Sequence, residues 1–471
     1  MRGWSTLPMR CAVYLLILLA ASPAFGRDGL YRGTQTCEAA GSSPGFTVEW
    51  RATVRDGRLV SERGQRDQEN WERVEGVVGP DGRVTLNGVY RFQGERPIRL
   101  AGRVSAAGLE VAGERGPRSC RVVASSPPPA SVAQPYRLLP DVAEQRRAFT
   151  RSAPTVTCDA PPDPVSDVVV EPFYRKDDPT HSIIDPAALE RRRQAAMPFE
   201  TYSRGLARIG DAVLVSGAQN PALGTCLLGW LDHWASAGAM LGRVTMQGGF
   251  ERKWTLATIA LNLPLLTPDQ RASAAGRRVL AWVRDLGWAV APAYTASRST
   301  AANNNHLNWA VLAVLSAGLA TEDPALVDWA VDRLDHALSL IEPDGSLPFE
   351  LARGAKAVHY HAFAVEPTVL AVALLAANGL DMADAHGGAL HRLVRFVRDG
   401  MADPSPVAAR VGMPQDFFHS QTPRPNRYGW AEIYLARYPD PVLAARLAEV
   451  RGDGLVTVWL GGSTTWRYGK R

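Results

Sequence analysis

From about residue 185 the sequence reads as one apolar segment after another, each with the 3.6-residue spacing of a helix and each closed by a turn of Gly, Pro, Asp or Asn. The segments are Ala187 to Leu214, Cys226 to Met240, Trp254 to Leu263, Pro268 to Trp288, Asn308 to Leu319, Pro324 to Ile341, His361 to Ala377 and Gly388 to Val397. A helix with one apolar stripe has to bury it against a neighbour. The segments match in length but not in sequence, which argues against a short-repeat solenoid. The pattern predicts a mainly α fold in which helical hairpins curl into an incomplete (α/α) toroid. The inner ends of such helices would form a long groove, a shape suited to a polymer.

Residues 27 to about 124 break this pattern. Phe46 to Val54, Val84 to Phe92, Ile98 to Val104 and Leu109 to Val111 are β-prone runs, and Asp56-Gly57, Asp81-Gly82 and Asn87-Gly88 are turn signals. They predict a small antiparallel β domain, which at this size gains from a disulfide staple. The Pro-rich stretch from Ser125 reads as a stiff connector to about 157, so the chain divides into 1–26, 27–124, 125–157 and 158–471.

The first of these is expected to be a secretory signal. Arg2 and Arg10 flank an apolar run, Cys11 to Ala21, too short to span a bilayer, and Ala24-Phe25-Gly26 offers small residues for cleavage before Arg27. The mature protein is then periplasmic or secreted, with no membrane contact. Cys37, Cys120, Cys158 and Cys226 remain, an even number in an exported chain. The domain split favours Cys37–Cys120 and Cys158–Cys226 among three pairings. Loss of Arg2 and Arg10 takes the formal charge from +5 to 5 − 2 = +3. That suits an anionic partner. The cations are scattered, with no run beyond Arg191-Arg192-Arg193, so nucleic acid is not expected.

Two donor-rich clusters open otherwise apolar helical stretches: Asn303-Asn304-Asn305-His306 with Trp309, and Arg353, Lys356, Tyr360 and His361. Capping a helix takes one Asn, and here three precede a His and a Trp. Asn305 and His306 share a helix face with Trp309, at i,i+4 and i,i+3, which would set an amide and an imidazole beside an indole platform for sugar. With a helix from about 353, Arg353, Lys356, Tyr360 and Phe363 form one stripe flanked by His359 and His361. Glu251-Arg252-Lys253-Trp254 opens another helix, and its cations could hold further carboxylates or form a charged first turn. His359-x-His361 has no acidic partner at ligand spacing, so neither metal nor cofactor is expected.

This set suits β-elimination on a uronic-acid polymer. The C5 proton beside a carboxylate is barely acidic, and donors around that carboxylate stabilise the charge that develops as the proton leaves. Asn305 and His306 can supply such donors, and Arg353 or Lys356 can add positive charge. Tyr360 is the candidate base or acid, since nearby cations bring a phenol into working range. A hydrolase would need a carboxylate pair, and the spacing of Glu350, Glu366, Asp332 and Asp344 selects none. A non-catalytic protein that handles an anionic polysaccharide is the other alternative. The sequence sets no oligomeric state.

The sequence resembles the periplasmic alginate lyases that cleave polymannuronate, the family-five polysaccharide lyases. The resemblance runs from about Cys158 to the C-terminus and is carried by Cys158-Asp159-Ala160-Pro161-Pro162, Gly229-Trp230-Leu231-Asp232-His233-Trp234, Arg252-Lys253-Trp254, Asn304-Asn305-His306, Asp328-Trp329-Ala330-Val331, Asp344-Gly345-Ser346-Leu347-Pro348-Phe349-Glu350-Leu351 and Tyr360-His361. It implies an (α/α) toroid, a lid near Phe173 to Asp177 and a Cys158–Cys226 disulfide. It assigns carboxylate binding to Asn305 and His306 and the lid lysine to Lys176. Asn304, Trp309, Arg252, Lys253, Trp254, Lys356, His359 and His361 join them as candidate substrate contacts. The family's catalytic segment reads Arg-Ala-Leu-Ala-Tyr-His-Asn-Tyr. Aligned without gaps, its arginine falls on Lys356 and its final tyrosine on Phe363, which cannot transfer a proton. Tyr360 and Arg353, each one turn earlier, are the expected substitutes. The wider superfamily of toroid lyases has a helix with Glu-Leu-Ala-Arg followed by His-Tyr, which supports that reassignment.

Overall fold

The structure, a computed structural model, describes residues 28–63, 69, 71–105, 107–126, 130–134, 136–138, 156–216, 220–295, 300–416 and 425–469. The signal expected at 1–26 and the connector from 139 to 155 lie outside the described residues.

Eight antiparallel strands form the N-terminal domain: β1 (Gly29–Cys37), β2 (Phe46–Arg55), β3 (Arg58–Arg63), β4 (Glu72–Val77), β5 (Arg83–Arg91), β6 (Glu95–Ser105), β7 (Gly108–Arg115) and β8 (Arg118–Ser125). Each pairs with the next and β8 pairs back onto β1, so the expected small β domain is a closed barrel. Closure leaves no sheet edge unpaired. The alternation of β8 sends Cys120, Val122 and Ala124 inward, where they meet Tyr31, Trp50, Leu86 and Leu100. Cys37 faces Cys120 across the β1–β8 seam, and the expected disulfide joins them there. Asp56-Gly57 makes its turn with φ of 48° and 74°. Asn87-Gly88 does not: it lies within β5, opposite Glu75 and Val74 of β4. Glycine is required there by close approach, since a Cβ on Gly88 would lie 1.9 Å from the Arg73 carbonyl oxygen.

The helical domain has two rows. The inner row is α1 (Pro186–Ser216), α3 (Met246–Asn262), α5 (Asn305–Thr321), α7 (Ala357–Ala377) and α9 (Gly429–Leu435), each touching the next. The outer row is α2 (Pro221–Ser236), α4 (Ala274–Val290), α6 (Pro324–Ser339) and α8 (Ala385–Ala402). The C-terminal stretch 456–468 touches α9, α1 and α3, and the buried pair Arg467–Asp211, 3.2 Å apart, ties it to α1. Helix 354–377 is apolar and long enough to cross a membrane, but it is the core helix of the inner row and largely buried. The Cys158–Cys226 disulfide is present. The tryptophans of the Gly229–Trp234 motif hold the incoming chain, with Trp230 and Trp234 donating to the carbonyls of Asp159 and Pro162.

Because each outer helix runs back along its inner partner, α3, α5 and α7 all begin at one end of the array. The barrel docks along α6 and against the turn that follows α4. Asp332 of α6 takes Arg51 at 3.2 Å, and Arg32 also pairs with it. Arg55 pairs with Asp285, and Asp56 lies 3.7 Å from Arg284.

Candidate active site

Three inner helices present their N-terminal turns to one cleft, where the positive ends of their dipoles favour anions. Asn304 caps α5 by accepting the His306 N–H at 2.9 Å. Asn305 follows as the first helical residue, fully buried. Its backbone N–H and its Nδ2 both donate to Glu350 Oε1, at 2.6 and 2.9 Å. Burial raises the Glu350 pKa, opposed by Arg353 and by these two bonds. Asn305 Oδ1 has no hydrogen-bond partner.

His306 is half-buried and stacks on Phe250, with centroids 3.5 Å apart. Its Nδ1 lies 3.2 Å from Lys253 Nζ, which donates to the Tyr294 hydroxyl at 3.0 Å. Where Lys253 is charged it has only protons to offer, and Nδ1 then accepts with the ring proton on Nε2. Burial holds the His306 pKa well below its usual value, and Lys253 and Arg353 add to the shift. The imidazole is therefore a neutral donor. Burial also holds the Lys253 pKa well below the usual lysine value.

Across the cleft, Arg353 lies in the turn before α7, with its guanidinium carbon 3.6 Å from the centre of the Tyr360 ring. It donates to the carbonyls of Thr180, at 2.9 Å, and of His181. Those carbonyls belong to a hairpin, 173–185, closed by the Arg175 N–H to Ile183 O and Asp185 N–H to Phe173 O bonds. Asp178 nucleates its tip by accepting from the backbone of Thr180, Ser182 and Ile183. The segment Phe173 to Asp177, where a lid is expected, forms the first arm of this hairpin. Its Tyr174 hydroxyl bonds to the Tyr360 hydroxyl. Burial first, and then the neighbouring Tyr360, push the Tyr174 pKa far up, so Tyr174 stays a phenol. Lys176 is exposed on the same hairpin.

Trp254 joins the two halves. Its ring is 6.1 Å from His306, 5.8 Å from Phe363 and stacked on Trp459 at 4.6 Å. His359 is half-buried, edge-on to Tyr360 at 4.9 Å and parallel to Phe363 at 6.5 Å. The structure thus brings together Asn305, His306, Lys253, Trp254, Arg353, Tyr360 and His359.

Three expected contacts are structural instead. Trp309 is fully buried and donates to the Phe363 carbonyl at 3.0 Å, so it is core and not a sugar platform. Asn305 and His306 sit in the first turn of α5, while Trp309 lies one turn deeper. Lys356 is 1% exposed and pairs with Asp416, because the chain from 354 to 356 is a 3₁₀ turn and breaks the expected stripe. His361 is also fully buried. Its Nε2 accepts the Leu347 N–H at 2.8 Å, its Nδ1 lies 2.8 Å from the Ala357 carbonyl, and burial lowers its pKa to about 4. Phe250, Tyr294, Tyr174, Trp459 and Glu350 are the site residues that sequence reasoning missed. Phe250 could have been found, because it stands at i−3 from Lys253 on the same helix.

The four carboxylates considered for hydrolysis are all engaged, and in separate places. Glu350 holds Asn305, Glu366 faces Arg427 at 3.4 Å, Asp332 binds Arg51, and Asp344 pairs with Arg410.

A two-row helical fold with a neutral imidazole, a buried amide and an arginine-stacked phenol at converging helix N-termini defines a protein built to handle a carboxylate-bearing chain. Residues 170–407 match the family described as Alginate lyase. A polysaccharide lyase of Stenotrophomonas maltophilia (strain K279a) is 33% identical over 307 residues, covering 64% of this chain and 87% of that protein. An alginate lyase of Azotobacter vinelandii (strain DJ / ATCC BAA-1303) is 32% identical over 304 residues, covering 61% and 80%. The crystal structure of alginate lyase A1-III from Sphingomonas species A1 superposes with a TM-score of 0.60 at 22% identity, covering 71% of this chain and 95% of that one. The chain belongs to the alginate lyase family.

Proposed function

We propose that this polysaccharide lyase cleaves alginate or a similar polyuronate by β-elimination in the groove of the helical toroid, using Tyr360 for proton transfer. Asn305 and the Nε2–H of His306 bind the carboxylate of the sugar that loses its C5 proton. A base takes the C5 proton, the C4–O4 bond breaks as a C4=C5 double bond forms, and an acid gives a proton to the leaving O4, with Tyr360 as the group that fills one of these parts. The charge that builds on the carboxylate in the transition state is met by preset donors in a partly dry site. Tyr174, kept protonated by burial, is suited to donate within the tyrosine pair. That leaves the Tyr360 oxygen to exchange a proton with the substrate while Arg353 supplies charge at its ring. The lid hairpin, with Lys176, then closes over the bound chain, and His359 borders the same cleft.

The single observation that carries this reading is the pairing of the His306–Lys253 donor set with the Arg353–Tyr360 set across one cleft. Two disulfides support an oxidising compartment, periplasmic or extracellular. Tyr360→Phe tests the mechanism. The ultraviolet absorbance of the unsaturated product should then rise at least ~10²-fold more slowly, the range lost with a general acid or base. A rate within threefold of the parent would refute the assignment. Binding of oligouronates with no unsaturated product from the parent protein would point instead to a non-catalytic polysaccharide-handling role.

A further inference from the structure

Between the barrel and the helical domain lies a cavity of about 550 Å³. Thr53, Arg55, Arg58, Val60, Glu62 and Arg73 of the barrel form one wall, and Met246, Phe250, Arg252, Trp288 and Tyr294 stand in the other. Two of these residues also belong to the candidate active site: Phe250 carries the His306 ring, and Tyr294 accepts from Lys253. The cavity therefore adjoins the carboxylate-binding half of the cleft.

Its charges are unevenly matched. Arg55 pairs with Asp285, Arg58 lies 2.8 Å from Glu75, and Arg73 pairs with Glu62. Arg252 has no ion pair among the described residues. Its Nη2 donates to the Gly242 carbonyl at 3.1 Å, its Nε has no hydrogen-bond partner, and the residue is 6% exposed. A buried, unmatched guanidinium is costly unless an anion completes it. Its planar fork fits a carboxylate in particular.

We propose that this cavity is an additional subsite, in which Arg252 binds the carboxylate of a uronate unit beyond the two that flank the broken bond, and the barrel is its outer wall. The inference rests on the polyuronate reading above. The barrel lies outside residues 170–407, so the outer wall of this subsite would be a feature of this chain added to the family scaffold, to which Arg252 itself belongs. It gives the barrel a role in setting the preferred substrate length.

The test uses the full chain with oligouronates of increasing length. Arg252→Gln removes the charge, and Val60→Trp fills the space from a half-buried barrel position while leaving the sequence of the helical domain unchanged. Both should lower kcat/KM at least tenfold more for long oligomers than for the shortest one cleaved, mainly through KM, and Arg252→Lys should fall between. A length-independent loss, or no loss, would overturn the proposal. If Arg252→Gln fails to fold, as judged by circular dichroism, Val60→Trp decides alone. Calorimetric titration with saturated oligouronates needs no cleavage. Weaker binding of the longer oligomers to the variants would support the subsite even if the parent forms no product, and equal binding would overturn it.

Discussion

Glu350 touches no substrate in the proposed mechanism, yet the carboxylate grip should depend on it. Its Oε1 accepts both the backbone N–H and the Nδ2 of Asn305, at 2.6 and 2.9 Å, and both residues are fully buried. Glu350→Ala leaves two buried donors unsatisfied, one of them an orphan N–H at the start of α5. A hydrogen bond to a charged group contributes ~1.5–3 kcal/mol, so the pair is worth ~3–6 kcal/mol. Relief of the desolvation that raises the Glu350 pKa offsets part of this, and the expected loss lies near the lower bound of that range. Glu350→Gln keeps the acceptor oxygen and should lose only about half as much, since charge roughly doubles such bonds. Urea unfolding measures both. The Ala variant also frees the Asn305 amide to rotate, and a misplaced transition-state donor costs about 10²-fold in rate. That loss should appear in kcat more than in KM, because the donor works mainly on charge absent from the ground state. An Ala variant with kcat within threefold of the parent and stability within ~1 kcal/mol would refute the argument.

Three further outcomes are expected. Phe363→Tyr restores a phenol at the family's tyrosine position, so the double variant Tyr360→Phe/Phe363→Tyr should recover part of the product formation lost in Tyr360→Phe; no recovery in a folded protein would show that the surrounding residues no longer support that position. Burial, opposed by Arg427, raises the Glu366 pKa from 4.5 to about 7, so the folded state binds the proton more tightly. The resulting stability is fully present below pH ~4.5 and lost as pH rises through 7. The parent's advantage over Glu366→Gln should therefore shrink by ~3 kcal/mol across that window in pH-dependent denaturation, and a flat difference would contradict it. Removing the Cys37–Cys120 link across 83 residues should destabilise the barrel by ~4–5 kcal/mol in the chain-entropy picture, read as a separate early transition in calorimetry.

The helical part of the fold was legible because the outer helices carry an apolar stripe, whereas α5 and α7 are long and apolar on nearly every side. Barrel closure was not. It depends on β1 meeting β8, a contact between sequence-distant strands, and β8 hides its inward face behind Cys120 and Ala124. Within the site, Asn305 and His306 stood out because polar residues at the head of an apolar helix need a reason. The stripe from Arg353 to Phe363 was only half right. A helical wheel assumes unbroken geometry, and the 3₁₀ turn at Gly354–Lys356 rotates Lys356 toward Asp416 while Arg353 still reaches Tyr360. Glu350 looked like a candidate acid for hydrolysis because sequence shows a carboxylate but not what it accepts. Trp459 comes from the C-terminal stretch and gives no local signal at all.

The departure from the family's arginine and tyrosine is a paired one. Lys356 and Phe363 are seven residues apart, and so are Arg353 and Tyr360 (363 − 356 = 360 − 353 = 7). Shifting both partners by three keeps their spacing in sequence, although only Tyr360 stands on α7 and Arg353 lies in the turn before it. The vacated positions have been absorbed by their surroundings. Phe363 packs among Trp254, Trp309 and Trp459, and Lys356 is sealed by Asp416. A chain that had merely lost its chemistry would have no reason to keep an arginine stacked on a phenol, or to bond that phenol to a lid tyrosine. The Arg353–Tyr360–Tyr174 arrangement links the proton-transfer candidate directly to the hairpin that covers it. In the proposed mechanism, closing the hairpin over a bound chain and setting the Tyr174 hydroxyl against the Tyr360 oxygen are therefore one event.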